Sequence, residues 1–333
     1  MYCLVSFEHL RDALSWAAAV LMVAMLGSST VVRGESPAKH GSWSWETADD
    51  SVALLRNEHV IWKFHYSNDQ DVPYFHPLAT SSGHVLSWNS PPDHRWHHGL
   101  WFSWKYLDRV NYWELNRQTG KPDGCTRWSN VRVETHDDYS AEISMMLNYR
   151  PATGGQVVLE EQRRITLSAP QSDGSYRIDW SSTFAAPSGD VLLDRTPPKA
   201  QSWGGYAGLS IRFAGDLTQR HAITPMGPVT FDDGDRHRSR APAIDYSGVI
   251  DGQSVGVAFL DHPGNPRYPT PWYLIRSPVM GYINAALLND KPVTLELGKT
   301  LALRYRLVVH LDRWDAERLQ AEIADFQSAY VKP

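Results

Sequence analysis

In Tyr176-Arg177-Ile178-Asp179-Trp180-Ser181-Ser182-Thr183-Phe184 the rings and Ile178 recur at every second position. That is the period of a strand with one buried and one wet face. Outward from it, residues 52–55, 59–66, 141–149, 157–167, 254–260 and 301–310 carry β-branched or aromatic side chains between Gly, Pro, Asn and Asp punctuation. Regular short strands with no helices between them predict an all-β antiparallel sandwich. One helix is expected at residues 315–330, where Leu319, Ile323, Phe326 and Tyr330 share a face. Asp312 is placed to cap it, and Asp315 suits the positive end of its dipole. It has no basic stripe or second apolar face, so a structural role is expected.

The chain has 333 residues, a formal net charge of -5 and 21% charged side chains, values of an ordinary globular protein. With 32 basic against 37 acidic residues, a nucleic-acid surface is not expected. The unusual feature is 14 Trp beside 15 Tyr. Such rings serve as sandwich core and also as platforms for sugar faces.

Residues 13–26 form the long apolar run, of signal-peptide length and shorter than the ~20 residues that span a bilayer. Small residues follow at Gly27, Ser28 and Ser29, and Val32-Arg33-Gly34 offers a second cleavage point. The expectation is a signal peptide at 1–34, a polar entry segment at 35–50 and a single domain at 51–333. The protein would then be secreted or periplasmic, with no membrane insertion after cleavage. The alternative is an uncleaved helix, since Ser15 and Trp16 interrupt the run. Loss of Cys3 with the signal would leave Cys125 alone, unable to form an internal disulfide.

Candidate chemistry concentrates in Asp93-His94-Arg95-Trp96-His97-His98-Gly99-Leu100-Trp101-Phe102. Histidines beside an acid can move protons, hold a metal or grip hydroxyls. A strand entered near His97 would set His97, Gly99, Trp101 and Ser103 on one face. His98, Leu100, Phe102 and Trp104 would lie on the other, where His98 is either a hydrogen-bonded core imidazole or a site residue. His94 lies in the preceding turn, after Ser90-Pro91-Pro92-Asp93, and loops on a rigid scaffold are where binding residues gather. The His94-Arg95-Trp96-His97-His98 frame lacks the glutamate of a zinc-protease helix, and the flanking Pro and Gly oppose a helix. A divalent metal held by two of these histidines with His76 or His262 stays open. There is no phosphate loop, paired-cysteine cluster or Gly-x-Ser-x-Gly elbow.

Two further segments read as site or scaffold. Asp261-His262-Pro263-Gly264-Asn265-Pro266-Arg267-Tyr268-Pro269-Thr270-Pro271-Trp272 is a proline-stiffened loop that could present Asp261, His262, Asn265 and Arg267, or merely close a strand edge. Residues 194–212 carry Lys199 and Arg212 around Gly204-Gly205, which would permit close backbone approach or form a bulge. Glu160 and Glu161 point to opposite strand faces, where ordinary cross-strand charge pairing is the simplest role.

Tyr74-Phe75-His76-Pro77-Leu78, the Gly83 turn, the histidine segment and Trp113 resemble, together with the two segments above and in the same order, the secreted bacterial family labelled methane oxygenase PmoA. The likeness spans about residues 50 to 310. Arg276-Ser277-Pro278-Val279-Met280-Gly281-Tyr282-Ile283-Asn284 matches that family only loosely. Its members occur in organisms rich in polysaccharide-degrading genes, which implies a carbohydrate role by association. The expectation is therefore an exported large antiparallel sandwich, of the type in sugar mutarotases and polysaccharide lyases, acting on a carbohydrate or another small molecule by hydrolysis, elimination or epimerisation. His94 or His98 would transfer the proton, with His97 in the same cluster and Asp93 orienting an imidazole. Trp101 and Trp272 would stack on sugar rings, Asn265 and Arg267 would bond hydroxyls, and His76, Trp113, Lys199, Arg212, Asp261 and His262 would line the site. The alternatives are a non-catalytic carbohydrate-binding module and a metal-dependent oxygenase.

Overall fold

The computed structural model describes residues 42–199, 204–231 and 235–329, and the expected signal peptide and Tyr330 lie outside them. Residues 41–333 form one unit. Two nine-stranded antiparallel sheets dominate the described residues. The first runs, neighbour to neighbour, Trp43–Ala48, Ser51–Arg56, His59–His65, Tyr74–Leu78, Leu100–Trp104, Ala207–Arg212, Met280–Ala285, Pro271–Ser277 and Arg236–Arg240. The second runs Gly227–Pro228, Thr218–Thr224, Ala243–Ile250, Gln253–Asp261, Thr300–Leu311, Tyr176–Ala185, Leu159–Leu167, Ala141–Pro151 and Gly124–Thr135. A four-stranded sheet made from Val293–Leu295, Val191–Asp194, Tyr106–Leu107 and Val110–Asn111 completes the fold.

The alternation read at residues 176–184 is the packing interface. Tyr176, Ile178, Trp180 and Phe184 are buried between the sheets. Phe184 meets Phe102 and Trp104 at centroid distances of 5.4 and 5.1 Å. Each such ring stabilises the fold by roughly 1.5–3 kcal/mol relative to exposure. Glu161 and Arg163 share this interior, at 0% and 1% exposed. They pair along one strand, with Arg163 Nε 2.6 Å from Glu161 Oε1, while Tyr149 and Ser182 donate to the same carboxylate at 2.5 and 2.6 Å. This pair is part of the core, and its partner lies two residues along its own strand, not across from it.

Two boundaries differ from the sequence reading. The entry segment contains a strand, Trp43–Ala48, because Trp43 and Trp45 fall on alternate positions and pack against the core edge. The helix spans Ala316–Ala329, and its cap is Asp315, whose Oδ1 accepts the Arg318 N–H at 2.8 Å. Asp312 instead takes a left-handed φ of 65° ahead of it. Leu319 and Phe326 bury against Ala243, Ala258, Leu260 and Val308 on the outer face of the second sheet. No described helix is long and apolar enough to cross a membrane.

Candidate functional site

The outer face of the first sheet carries a second apolar cluster. Alternate residues of its strands, Trp101, Tyr282, Tyr273 and Ile275, turn away from the core and gather with Tyr74, Tyr206 and Met280. Ser210 and Arg212 lie in register with this face, Ser210 opposite Trp101. Residues 90–98 fold over it as a tight loop: Ser90 N–H donates to His97 O at 2.7 Å, and His97 N–H to His94 O at 2.9 Å. Gly99 ends the loop at φ 76°, and a Cβ there would lie 2.3 Å from the Phe75 carbonyl. This left-handed residue interrupts the strand alternation, and the strand begins only at Leu100. His98 therefore does not join Leu100, Phe102 and Trp104 in the core; its ring meets Tyr74 at 5.1 Å and the edge of Trp101 at 6.3 Å.

Within the loop, His94 Nδ1–H donates to Asp93 Oδ2 at 3.0 Å. Arg212 Nη2 reaches both oxygens of the same carboxylate, at 3.0 and 2.9 Å. Burial pushes the Asp93 carboxyl up, but the hydrogen bonds from His94 and Arg212 outweigh it and hold the group below the ordinary carboxylate range. The carboxylate selects the His94 tautomer with Nε2 as acceptor, the arrangement of an oriented general base. His97 is 2% exposed. Its ring stacks on Trp113 (5.8 Å, 10°) and Tyr282 (5.1 Å, 18°) and lies over Trp101 at 5.0 Å. Both its ring nitrogens are buried with no partner. Burial holds its pKa well below the usual histidine value, so the imidazole is neutral. His98 donates through Nδ1 to Asn89 Oδ1 at 3.1 Å, and burial lowers its pKa to about 4.

A cleft of about 200 Å³ opens here, lined by His94, Trp96, His97, Trp113, Glu114, Arg236, Tyr273 and Tyr282 among others. Asn111 Oδ1 accepts the N–H groups of Trp113 and Glu114 at 2.9 and 3.1 Å, which presents both side chains. Glu114 is tied to Lys105, 1% exposed, at 2.5 Å, and the ammonium sits 5.3 Å from the Trp113 ring centroid. Arg236 Nε donates to Tyr273 OH at 3.2 Å. The wall is aromatic, and the polar groups facing it include both donors and acceptors.

His94, His97 and Trp113 thus meet at the cleft, with Asp93 and Arg212 behind His94 and Trp101 beneath His97. Sequence reasoning missed Trp96, Glu114, Arg236, Tyr273 and Tyr282. Glu114 directly follows Trp113, and Tyr282 lies in the segment that matched the resembled family loosely, so both had a signal nearby. His76 lies apart, its Nδ1 2.9 Å from Ser87 Oγ and its pKa lowered to about 4 by burial. Lys199 is exposed beside residues that are not described.

The 261–272 loop is scaffold, a correction to the binding roles expected of it. Trp272 is 0% exposed inside the sandwich, 5.9 Å from Phe259, and donates its indole N–H to Ala241 O at 2.8 Å. Arg267 donates to the carbonyls of Leu287, Lys291 and Pro292 at 2.6, 2.7 and 2.9 Å. Asn265 bonds Asp261 and the Arg304 backbone, and Thr270 N–H donates to Asp261 Oδ2 at 2.6 Å. Burial raises the Asp261 carboxyl to about 7. His262 Nδ1 accepts the Gly264 N–H at 3.0 Å, and its ring meets Phe326 of the helix at 5.6 Å. None of these side chains lines the cleft. Nor do the histidines fit a metal centre: among the described residues no three His, Cys, Asp or Glu side chains are placed to hold an ion.

Residues 51–324 match DUF6807, a family of unknown function, and the chain belongs to that family. No curated protein matches the sequence. Among solved structures, the chain is similar to the galactosidase domain of the alpha-galactosidase-sucrose kinase AgaSK, at 8% identity over 79% of this chain, with a TM-score of 0.35. It spans 40% of that chain's length. It is also similar to a galactose mutarotase related enzyme from Lactobacillus acidophilus, at 10% identity over 81% of this chain and 97% of the other, with a TM-score of 0.26.

Proposed function

We propose that this member of DUF6807 is an exported carbohydrate-active enzyme that binds a sugar ring in the Trp113 cleft and moves a proton with His94. One observation carries the reading: in an aromatic-walled cleft, buried polar groups are left without protein partners, namely both ring nitrogens of His97 and the indole N–H groups of Trp96 and Trp113. Buried polar groups are normally satisfied, so these await a ligand with hydroxyl edges and apolar faces. A pyranose has both. Neutral His97 offers one donor and one acceptor to neighbouring hydroxyls. His94, oriented by Asp93, takes or returns a proton through Nε2, and Glu114, paired with Lys105, accepts from a hydroxyl on the facing side.

Glycoside hydrolysis ordinarily requires two carboxyl groups flanking the bond. Among the described residues Glu114 is the carboxylate that lines the cleft, while Asp93 is engaged by Arg212 and His94. An imidazole with a single carboxylate suits mutarotation, epimerisation or elimination better. The apolar run at residues 13–26 supports export.

The test is a glycan array combined with NMR detection of anomeric exchange, epimerisation or double-bond formation on the sugars that bind. His94→Ala should keep binding and lose turnover by roughly 10²–10⁴-fold, and Trp113→Ala should lose binding. Binding with no turnover in the wild type would make the protein a carbohydrate-binding module, and no binding to any glycan would overturn the reading.

A further inference from the structure

We infer that the ligand is an oligosaccharide of at least two rings, because the Trp113 cleft adjoins, across shared walls, a second basin at Lys121 and Arg127. This rests on the sugar-binding reading above. Trp96 and Trp113, which wall the cleft, also line a narrow neck of about 10 Å³ together with Asp71, His98, Tyr112 and Pro122. Asp71 and Pro122 in turn line a basin of about 220 Å³ with Lys121, Cys125, Thr126 and Arg127. The three spaces are thus neighbours, each sharing two lining residues with the next.

Size and chemistry favour a chain. The cleft alone, at about 200 Å³, is smaller than the ~300–1,000 Å³ usual for a small-molecule site, and cleft and basin together fall within that range. The neck also holds an orphaned polar group of its own: Tyr112 OH is buried there without a partner. Two flat aromatic rings on one path suit successive sugar faces. At the far end exposed Lys121 and Arg127 flank Asp71, leaving one net positive charge to receive hydroxyls or a sugar carboxylate.

Affinity would be measured by calorimetry for galactose, glucose, mannose and galacturonate and for their homo-oligomers up to hexasaccharides. The probes would be wild type and Lys121→Glu/Arg127→Glu, both exposed positions away from His94. Binding should tighten about tenfold or more from one ring to three, and the double variant should lose that gain while its monosaccharide affinity stays unchanged. Iodoacetamide labelling would be followed at Cys125, the free, part-exposed cysteine among the described residues, and a bound hexasaccharide should slow it where the monosaccharide does not. Equal affinity for one ring and for longer chains, with Cys125 unprotected, would overturn the inference and leave the sugar-binding reading intact. If no sugar of any length binds, both fall.

Discussion

Removing the Asp93 carboxylate strands the Arg212 guanidinium, and the structure sets the cost. The Arg212 side chain is 0% exposed, and its Nε and Nη1 atoms have no partner. Nη2 alone serves Asp93, at 3.0 and 2.9 Å, and the Val279 carbonyl at 2.9 Å. Deleting one member of a fully buried pair costs about 3–5 kcal/mol. Asp93 is 34% exposed, so water can reach the orphaned cation, and we expect about 2 kcal/mol for Asp93→Ala. In a domain of this size, whose unfolding entropy is about 0.6 kcal/mol/K, that lowers Tm by roughly 3 °C. Arg212→Met removes the charge while keeping an apolar stem, so adding Asp93→Ala to it should cost only about 0.5 kcal/mol, a coupling of about 1.5 kcal/mol. Urea unfolding followed by tryptophan fluorescence, with a shared m-value, gives all four corners of the cycle. The Asp93 carboxyl sits below its ordinary pKa when folded. Its contribution is thus present above the unfolded value and lost as pH falls through the folded one, and the Asp93→Ala penalty should shrink in acid. A double variant as destabilised as the sum of the singles would refute the reasoning.

Three other outcomes follow from single residues. His98, lowered from 6.5 to about 4, binds fewer protons folded than unfolded. Stability should therefore fall as pH drops from 6.5 toward 4, by about 2–3 kcal/mol from this group, and His98→Gln should flatten that limb of a pH–stability curve; an unchanged slope would count against neutral burial. Asp261 has the opposite sign: raised to about 7, it contributes stability that is full below its unfolded pKa and lost as pH rises through 7. Asp261→Asn should remove that loss while costing about 1–2 kcal/mol at low pH, because two donors then face one oxygen; calorimetric scans at acid and neutral pH would reveal it. Gly99→Ala combines a left-handed φ with a Cβ 2.3 Å from the Phe75 carbonyl, so a loss of at least about 2 kcal/mol is expected. A Tm within a degree or two of wild type would show that the loop relaxes freely.

The strands were legible because a half-buried strand writes its burial at period two. Residues 176–184 alternate in sequence, and Tyr176–Ala185 alternates in burial. The helix announced itself by Leu319, Ile323 and Phe326 on one face, although its cap sat at Asp315, since competing turn conformations settle that choice locally. The histidine cluster was legible as a group of neighbours, and Asp93, His94 and His97 do converge. What sequence could not decide was which conspicuous loop lines a cavity. The 261–272 loop and the 93–102 loop look equally equipped, each with an acid, histidine and tryptophan beside prolines. Only the packing of strands far apart in the chain sends Trp272 inward, onto Phe259, and Trp101 outward, under His97. Arg212, Tyr282, Trp113 and Glu114 join the site for the same reason. Side-chain alternation determines which face each residue takes within its own strand, but the order of strands across a sheet, set by the burial of the whole core, decides which of those faces meet.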